Sequence, residues 1–228
     1  SSTEIRTEKQ EIRLGLIGDS TFINKVYRES KFVNGIKIVG LFSNNLENMV
    51  AELQDNSIDN LDRLIDISDA LYIRSQPDNH YEQIRRALEH GKHVLCESPI
   101  TLSELRTKEL FELAENNNLI LMEAIKTAYA TAFSRLLLLI KGGKIGKIIS
   151  IDATCTSLSK TDWSGFYEWA PTALLPIFEM LGVVYEKKII THKDDIGNDL
   201  FTRIDFVFDH SVASIKVGDG IKSEGQLI

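Results

Sequence analysis

Residues 91–99 read GKHVLCESP, and this stretch decides the fold. A glycine that ends a helix comes first, a short apolar run follows, and the run closes on an acid, a serine and a proline. The pattern predicts a buried strand with Glu97 at its C-terminal end. Because ligands of open α/β sheets bind at the carboxyl ends of the strands, Glu97 is a candidate ligand-facing residue.

Apolar runs alternate with helical patterns on both sides of this stretch, as far as about residue 124. Strands are predicted over residues 11–18, 35–42, 69–75, 93–96 and 119–124. An amphipathic helix is expected over residues 46–53, and another is expected to open on a capping box at 101–104, with Leu102 and Leu105 among its apolar residues. This alternation is typical of an α/β fold with a doubly wound parallel sheet.

The organisation changes beyond residue 130. Residues 147–156 alternate apolar and polar side chains, and the runs 200–208 and 212–217 predict a β-hairpin. The inward residues of the first of these strands are expected to be Ile149, Ile151, Ala153 and Cys155. We therefore expect an open, mainly antiparallel sheet in the second half. The predicted segments are a polar tail at 1–10, an α/β domain at 11–126 and an α+β domain at 127–228.

The composition limits the classes of function. The chain has 228 residues, 43% of them hydrophobic, and a net charge of −7 from 26 basic residues interspersed among 33 acids. Phosphate backbones bind clustered cations, so we expect no nucleic-acid partner. Cys96 and Cys155 predict buried thiols in a reducing compartment, hence a cytoplasmic location. The N-terminus is polar and the longest apolar run is short, so no signal peptide and no membrane partner are expected.

Four blocks carry a family resemblance: RLGLIG at 13–18, DALYIRSQPDNH at 69–80, ALEHGKHVLCESPITLSE at 87–104 and GGKIGKIISIDA at 142–153. In order and spacing they resemble the glucose-fructose oxidoreductase and inositol dehydrogenase (Gfo/Idh/MocA) family. The resemblance implies a Rossmann dinucleotide-binding domain followed by a substrate and oligomerisation domain that is incomplete at its C-terminus. It also implies NAD or NADP as cofactor, a small sugar-like or cyclic alcohol or carbonyl substrate, and a homo-oligomer formed through the C-terminal sheet.

The resemblance places a cofactor turn after the first strand. Rossmann turns use G-x-G-x-x-G because glycines permit close backbone approach to the pyrophosphate. Here residues 18–23 read GDSTFI, so Gly18 is retained, Ser20 stands at the second glycine, and Asp19 adds a negative charge near the phosphate. Gly18 and Ser20 are therefore candidate cofactor contacts, with an ordinary strand-to-helix turn as the alternative.

Further cofactor contacts follow at the next strand ends. The second strand ends in Ser43-Asn44-Asn45 and carries no acid for the ribose hydroxyls, so the preference between NAD and NADP cannot be read. Ser43 is a candidate ribose contact or a turn residue. Ser75 and His80 match the hydroxyl and the histidine of a family pattern, and His80 is either a ligand contact or a packing residue.

The family's Glu-Lys-Pro motif reads Glu97-Ser98-Pro99 here. The resemblance implies that Glu97 lies near the nicotinamide ribose, with a polar strand terminus as the alternative, and that Ser98 replaces a lysine that transfers a proton. A serine hydroxyl cannot act as that acid unless another group activates it, and losing such a group lowers the rate by about 10²- to 10⁴-fold. Pro99 is expected to follow a cis peptide bond.

The resemblance offers three residues for acid–base work: Lys126 at a basic substrate-contacting position, and Glu168 and Thr172 where the family has an Asp-x-Gly-x-His or Tyr turn. Lys126 has the alternative of a solvated surface lysine. The five histidines lack paired acids or cysteines at ligand spacing, so no metal site is expected. Two functions follow: an NAD(P)-dependent oxidoreductase, or a catalytically inactive descendant that serves as a ligand-binding or assembly module.

Overall fold

The structure is a computed structural model that describes residues 11–125, 131–157, 165–197 and 199–219. The chain divides into two compact units, residues 1–124 and 125–228. Each unit has its own sheet and its own core. No helix within the described ranges is long and apolar enough to cross a membrane.

The first unit contains a five-stranded parallel sheet in the order β2-β1-β3-β4-β5. Its strands are β1 (Ile12–Gly18), β2 (Ile36–Phe42), β3 (Ala70–Arg74), β4 (His93–Glu97) and β5 (Leu121–Ala124). The strand order reverses between β1 and β3, which is the topological switch point where doubly wound sheets bind ligands. The predicted α/β fold is thereby confirmed.

Helices cover both faces of this sheet because its strands are apolar on both sides. They are α1 (Phe22–Ser30), α2 (Ala51–Asp55), α3 (Leu61–Ile67), α4 (Pro77–Glu89) and α5 (Glu104–Asn116). Leu16 and Tyr72 point to the α1 and α2 side, where Ile23 and Leu53 pack against them. Ile73 and its neighbours pack against α3, α4 and α5 on the other face.

Two local predictions in this unit are wrong. The helix expected over 46–53 is broken into a 3₁₀ turn, Leu46–Asn48, and the short α2, because Met49 adopts an extended backbone between them. The expected capping box at 101–104 does not form. Ser103 caps α5 instead of Thr101, its hydroxyl accepting a hydrogen bond from the Arg106 amide, so the helix begins two residues later than predicted. Leu105, an apolar residue of this helix, is 75% exposed.

The second unit has a mixed four-stranded sheet in the order β6-β9-β8-β7 and two helices. Its elements are α6 (Thr131–Lys141), β6 (Ser150–Ser157), α7 (Gly165–Leu181), β7 (Glu186–Lys193), β8 (Asp199–Val207) and β9 (Val212–Asp219). Helix α7 covers one face, where Ala173 and Ile177 pack on Ile204 and Ile215. The hairpin of β8 and β9 is antiparallel as predicted.

Three details of the second sheet differ from expectation. Strand β6 pairs with β9 in parallel, since α7 provides the crossover that a parallel pair needs after β6. Strand β7, which the sequence analysis does not predict, adds an edge to β8. Ile151 and Ala153 are buried as expected, but Ile149 precedes β6 and is 76% exposed. The side chain of Cys155 lies outside the described residues.

Candidate functional site

Polar side chains converge at the carboxyl edge of the first sheet, where β1 and β3 diverge. Gly18 closes β1 with φ +142°, and a Cβ on it would lie 2.2 Å from the carbonyl oxygen of Arg74. The backbone at the end of β3 therefore lies against Gly18, and only glycine fits both the dihedral angle and the contact. The glycine predicted as a cofactor contact thus also has a structural role in the turn.

Arg74 extends across this switch point. Its guanidinium carbon lies 4.2 Å from the ring centroid of Phe22, and its Nε donates a hydrogen bond of 3.2 Å to Ser20 Oγ. Its Nη1 lies 3.1 Å from Glu97 Oε1. The side chain of Arg74 is 29% exposed, so a fixed and partly solvated cation lies between the ends of β1, β3 and β4. Ser20 also accepts a bond from the Phe22 amide at 3.3 Å.

Glu97 is held by two side chains of β3, Arg74 and Tyr72. The buried Tyr72 hydroxyl on β3 donates a 2.6 Å hydrogen bond to the same Oε1 that faces Arg74. Burial, followed by this hydrogen bond, raises the pKa of Tyr72 well above its ordinary value, so the hydroxyl remains a donor. The Glu97 carboxylate is therefore positioned at the end of β4 by a cation and a hydroxyl.

A second carboxylate lies at the end of β2. Asp19 follows Gly18, yet its Oδ1 accepts hydrogen bonds from Ser43 Oγ at 3.0 Å and from the Asn44 amide at 2.6 Å. The turn after β1 and the end of β2 are thus joined through one side chain. Ser43, predicted as a ribose contact, donates its proton to Asp19 and accepts a hydrogen bond from the Asn45 amide at 3.1 Å, so one lone pair of its hydroxyl remains.

The ends of β3 and β4 are joined through His80, which is 1% exposed. Its Nδ1 lies 2.8 Å from the Pro99 carbonyl oxygen, and its Nε2 lies 3.1 Å from the Ser75 carbonyl oxygen. Burial lowers the pKa of His80. These contacts favour the packing role over direct contact with a ligand. Ser75 Oγ donates to Gln83 Oε1 at 2.5 Å.

Ser98 lies beyond β4 and is followed by the expected cis peptide bond to Pro99. Its hydroxyl donates a 2.5 Å hydrogen bond to Glu123 Oε1 on the neighbouring strand β5. Ser98 therefore has a neighbouring carboxylate that can accept its proton. Burial raises the pKa of the nearby Cys96 thiol, which stays a neutral core group.

The three predicted catalytic residues belong to the second unit of the chain, residues 125–228. Thr172 lies on α7 and is half-buried, and Glu168 lies on the same helix with a side chain outside the described residues. Lys126 also falls outside them. Their roles stay predictions. Among the described residues, no group of three histidine, cysteine, aspartate or glutamate side chains converges as a metal site.

The sequence patterns do not indicate roles for Arg74, Tyr72 and Glu123, and they indicate Asp19 only as an unfavourable charge. A signal was available for two of them, because Arg74 and Glu123 are charged residues near the ends of otherwise apolar strands. Their partners could not be read from the sequence. Each pair joins residues at least 23 positions apart, on different strands.

Comparison with known protein families gives a match over the first unit. The sequence model described as "Oxidoreductase family, NAD-binding Rossmann fold" (GFO_IDH_MocA) matches residues 12–125, half of the chain. This chain belongs to that family. The family resemblance inferred from the four sequence blocks is thereby confirmed.

Two curated relatives are from Bacillus subtilis. Scyllo-inositol 2-dehydrogenase (NADP(+)) IolU is 28% identical over 137 residues, 55% of this chain and 40% of the relative. Glucose-6-phosphate 3-dehydrogenase is 28% identical over 142 residues, 61% of this chain and 41% of the relative. The matches thus span about two fifths of these relatives' lengths.

Solved structures share the fold of the whole described chain. An oxidoreductase from Agrobacterium radiobacter, in complex with NAD+, L-tartaric acid and magnesium, superposes with a TM-score of 0.82 at 16% identity. The superposition covers 95% of this chain and 69% of that chain. At this identity the likeness shows the fold alone.

The side chains at the switch point have the chemistry that a dinucleotide needs. A pyrophosphate requires positive charge and donors, which the Arg74 guanidinium supplies. Ribose hydroxyls require acceptors, which the remaining lone pair of Ser43 and the carboxylates of Asp19 and Glu97 supply. The donor set therefore fits the cofactor, although one of the three motif glycines remains.

Proposed function

We propose that the protein is an NAD(P)-dependent oxidoreductase acting on a small sugar-like or cyclic alcohol or carbonyl compound. The observation that carries this proposal is Arg74, held at the switch point by Phe22, Ser20 and Glu97. In a glycine-rich turn, the backbone amides at the helix N-terminus supply the positive charge that the pyrophosphate needs. Arg74 supplies positive charge at the same place, so it compensates for the glycines that this turn lacks.

The cofactor site comprises the ends of β1 to β4. Gly18, Ser20, Ser43, Ser75, Glu97, Ser98 and Pro99 are the proposed contacts, with Arg74 and Asp19 added from the structure and His80 positioning two of the loops. When bound, the dinucleotide supplies the hydride acceptor or donor of the reaction. The substrate class is supported by the relatives, whose names give an inositol and a sugar phosphate.

Ser98 and Glu123 are the proposed route for the proton. In alcohol oxidation, the substrate hydroxyl gives its proton to Ser98 Oγ while the Ser98 proton passes along the 2.5 Å hydrogen bond to Glu123 Oε1. The carbonyl product forms as the C–H hydrogen leaves with its electron pair. Glu123 thus acts as the activating base that a serine at the lysine position requires.

This route predicts matched effects of two substitutions. Ser98→Ala and Glu123→Gln each interrupt it, so both are expected to lower turnover by about 10²- to 10⁴-fold. Glu123 is not among the proposed cofactor contacts, so Glu123→Gln should leave cofactor affinity within about twofold. Ser30→Ala is the control, because the Ser30 hydroxyl bonds only to the Tyr27 carbonyl on α1. Turnover that Glu123→Gln leaves unchanged would remove Glu123 from the mechanism.

Lys126, Glu168 and Thr172 remain alternative acid–base groups. Lys126→Ala is expected to lower turnover far more than it alters cofactor affinity if Lys126 transfers the proton. Unchanged turnover would exclude Lys126.

A cytoplasmic homo-oligomer formed through the second sheet is proposed with the function, and sedimentation as a monomer at high concentration would contradict the assembly.

The deciding experiment is calorimetric titration of the 228-residue chain with NADH and, separately, NADPH. Micromolar binding of either is expected. Arg74→Ala should weaken that binding by about 10- to 100-fold, since hydrogen bonds to charged groups contribute about 1.5 to 3 kcal/mol. Arg106→Ala is the matched control, because Arg106 also stacks on a ring, that of Tyr81 at 4.8 Å, but lies on α5.

Failure of the folded chain to bind either nucleotide would overturn the oxidoreductase proposal. It would favour the second function, a catalytically inactive binding or assembly module. The observation that favours this second function is that residue 98 is a serine, which supplies no ammonium group at the place of the lysine that the family resemblance implies.

A further inference from the structure

The carboxylate of Asp19 occupies a place that its position in the sequence does not predict. Asp19 belongs to the turn between β1 and α1, but both described hydrogen bonds of its Oδ1 come from residues that follow β2. The end of β2 has no acid of its own, since it reads Ser43-Asn44-Asn45. The structure thus brings an acid to the end of β2 from the neighbouring loop.

Asparagine side chains hold this arrangement. Asn45 Nδ2 donates to the Asp19 carbonyl oxygen at 3.1 Å, and the Asn45 amide donates to Ser43 Oγ at 3.1 Å. Asn48 Nδ2 in turn donates to Asn45 Oδ1 at 2.6 Å. Both the backbone and the side chain of Asp19 are therefore fixed, and its carboxylate is ordered before any ligand binds.

An acid at this place has a known physical consequence in Rossmann sheets. A carboxylate near the end of β2 accepts hydrogen bonds from the free ribose hydroxyls of NAD, whereas a 2′-phosphate requires a cation there. Within the described ranges, Asp19 has no ion-pair partner, and its Oδ2 takes no described hydrogen bond. Residues 43–60, which follow β2, carry no lysine or arginine.

We propose that Asp19 selects NAD over NADP. This inference rests on the proposed function and adds the identity of the cofactor. Oδ1 is occupied by Ser43 and Asn44, and Oδ2 accepts the ribose 2′-hydroxyl. The phosphate of NADP would place about two negative charges beside this carboxylate, and their repulsion lowers NADPH affinity by at least about tenfold.

The test is the ratio of the dissociation constants of NADPH and NADH, measured by calorimetry without substrate. The wild-type ratio is expected to be at least about 10. Asp19→Asn keeps the shape and removes the charge, so the ratio should fall at least about fivefold. Asp66→Asn is the control, because Asp66 is exposed and lies at the end of α3, before the amino edge of β3.

A second variant covers the case in which Asp19→Asn does not fold. Asn44→Arg keeps the Asn44 amide that binds Asp19 and adds a cation, so it should also shift the ratio toward NADPH. A wild-type protein that prefers NADPH, or a ratio unchanged by both variants, would overturn the role of Asp19 alone. Binding of neither nucleotide by the wild type would overturn the proposed function itself.

Discussion

Substitution of Gly18 by alanine tests the close approach of β1 and β3. The residue has φ +142°, a region that costs an L-residue about 1 to 3 kcal/mol. The added methyl group would also lie 2.2 Å from the carbonyl oxygen and 2.5 Å from the carbonyl carbon of Arg74. Backbone atoms cannot rotate away as a side chain can, so the ends of β1 and β3 must separate. We assign this separation a cost of about 1 to 3 kcal/mol, in addition to the cost of the dihedral angle.

Gly35→Ala provides the matched control for backbone strain. Gly35 has φ +90°, but a Cβ there would meet nothing within 4 Å. The difference between the two variants therefore isolates the contact with Arg74. Gly18→Ala is expected to lose about 2 to 6 kcal/mol of unfolding free energy, the sum of both costs, and Gly35→Ala about 1 to 3 kcal/mol.

The assay is thermal unfolding followed by circular dichroism, with urea unfolding as a check. At about 2 to 4 °C per kcal/mol for a chain of this length, the contact cost of about 1 to 3 kcal/mol should place the Tm of Gly18→Ala at least about 2 °C below that of Gly35→Ala. Equal Tm values, or a Gly18→Ala protein more stable than its control, would refute the inference that the backbone contact at Arg74 requires glycine.

Three further predictions concern stability. Arg13 holds the pKa of Asp69 at about 2, below the value of 3.8 for an unperturbed aspartate, so this stabilisation is present above about pH 4 and is lost as the pH falls toward 2. The Tm difference between wild type and Asp69→Asn should therefore shrink over that range, and a constant difference would contradict the pairing. Ile73→Ala leaves a cavity in a fully buried position and should cost about 2 to 5 kcal/mol in urea unfolding, with Ile73→Val costing under about 1.5. Asn60→Ala removes the acceptor for the Arg63 amide at the start of α3 and should cost about 0.5 to 2 kcal/mol, whereas Asn60→Asp should restore most of it.

The sequence predicted those elements whose hydrophobic period is long and regular. The buried strand containing Cys96 and the helix beginning at Pro77 follow directly from their patterns and from the glycine that comes after the helix. The break at Met49 was not predictable, because an amphipathic run fits a continuous helix and a broken one equally well. The capping error has the same origin, since Thr101 and Ser103 both have capping side chains.

The candidate site was predictable residue by residue but not pair by pair. The sequence indicated Glu97, Ser98 and Ser43 from their places at strand ends. It could not show that Glu123 accepts from Ser98 or that Asp19 reaches Ser43, because both contacts depend on which strands are neighbours in the sheet. Electrostatic partners across strands have no signature in local spacing.

The His80 ring is a spectroscopic probe of the carboxyl edge of the first sheet. Its two nitrogens face the carbonyl oxygens of Ser75 and Pro99, and a neutral imidazole has a single N–H to donate. A small displacement of either loop changes which nitrogen carries the proton, and nitrogen-15 chemical shifts distinguish the two tautomers. With five histidines in the sequence, this signal can be assigned by substitution, so a ligand's arrival at the loops of β3 and β4 can be followed at one ring.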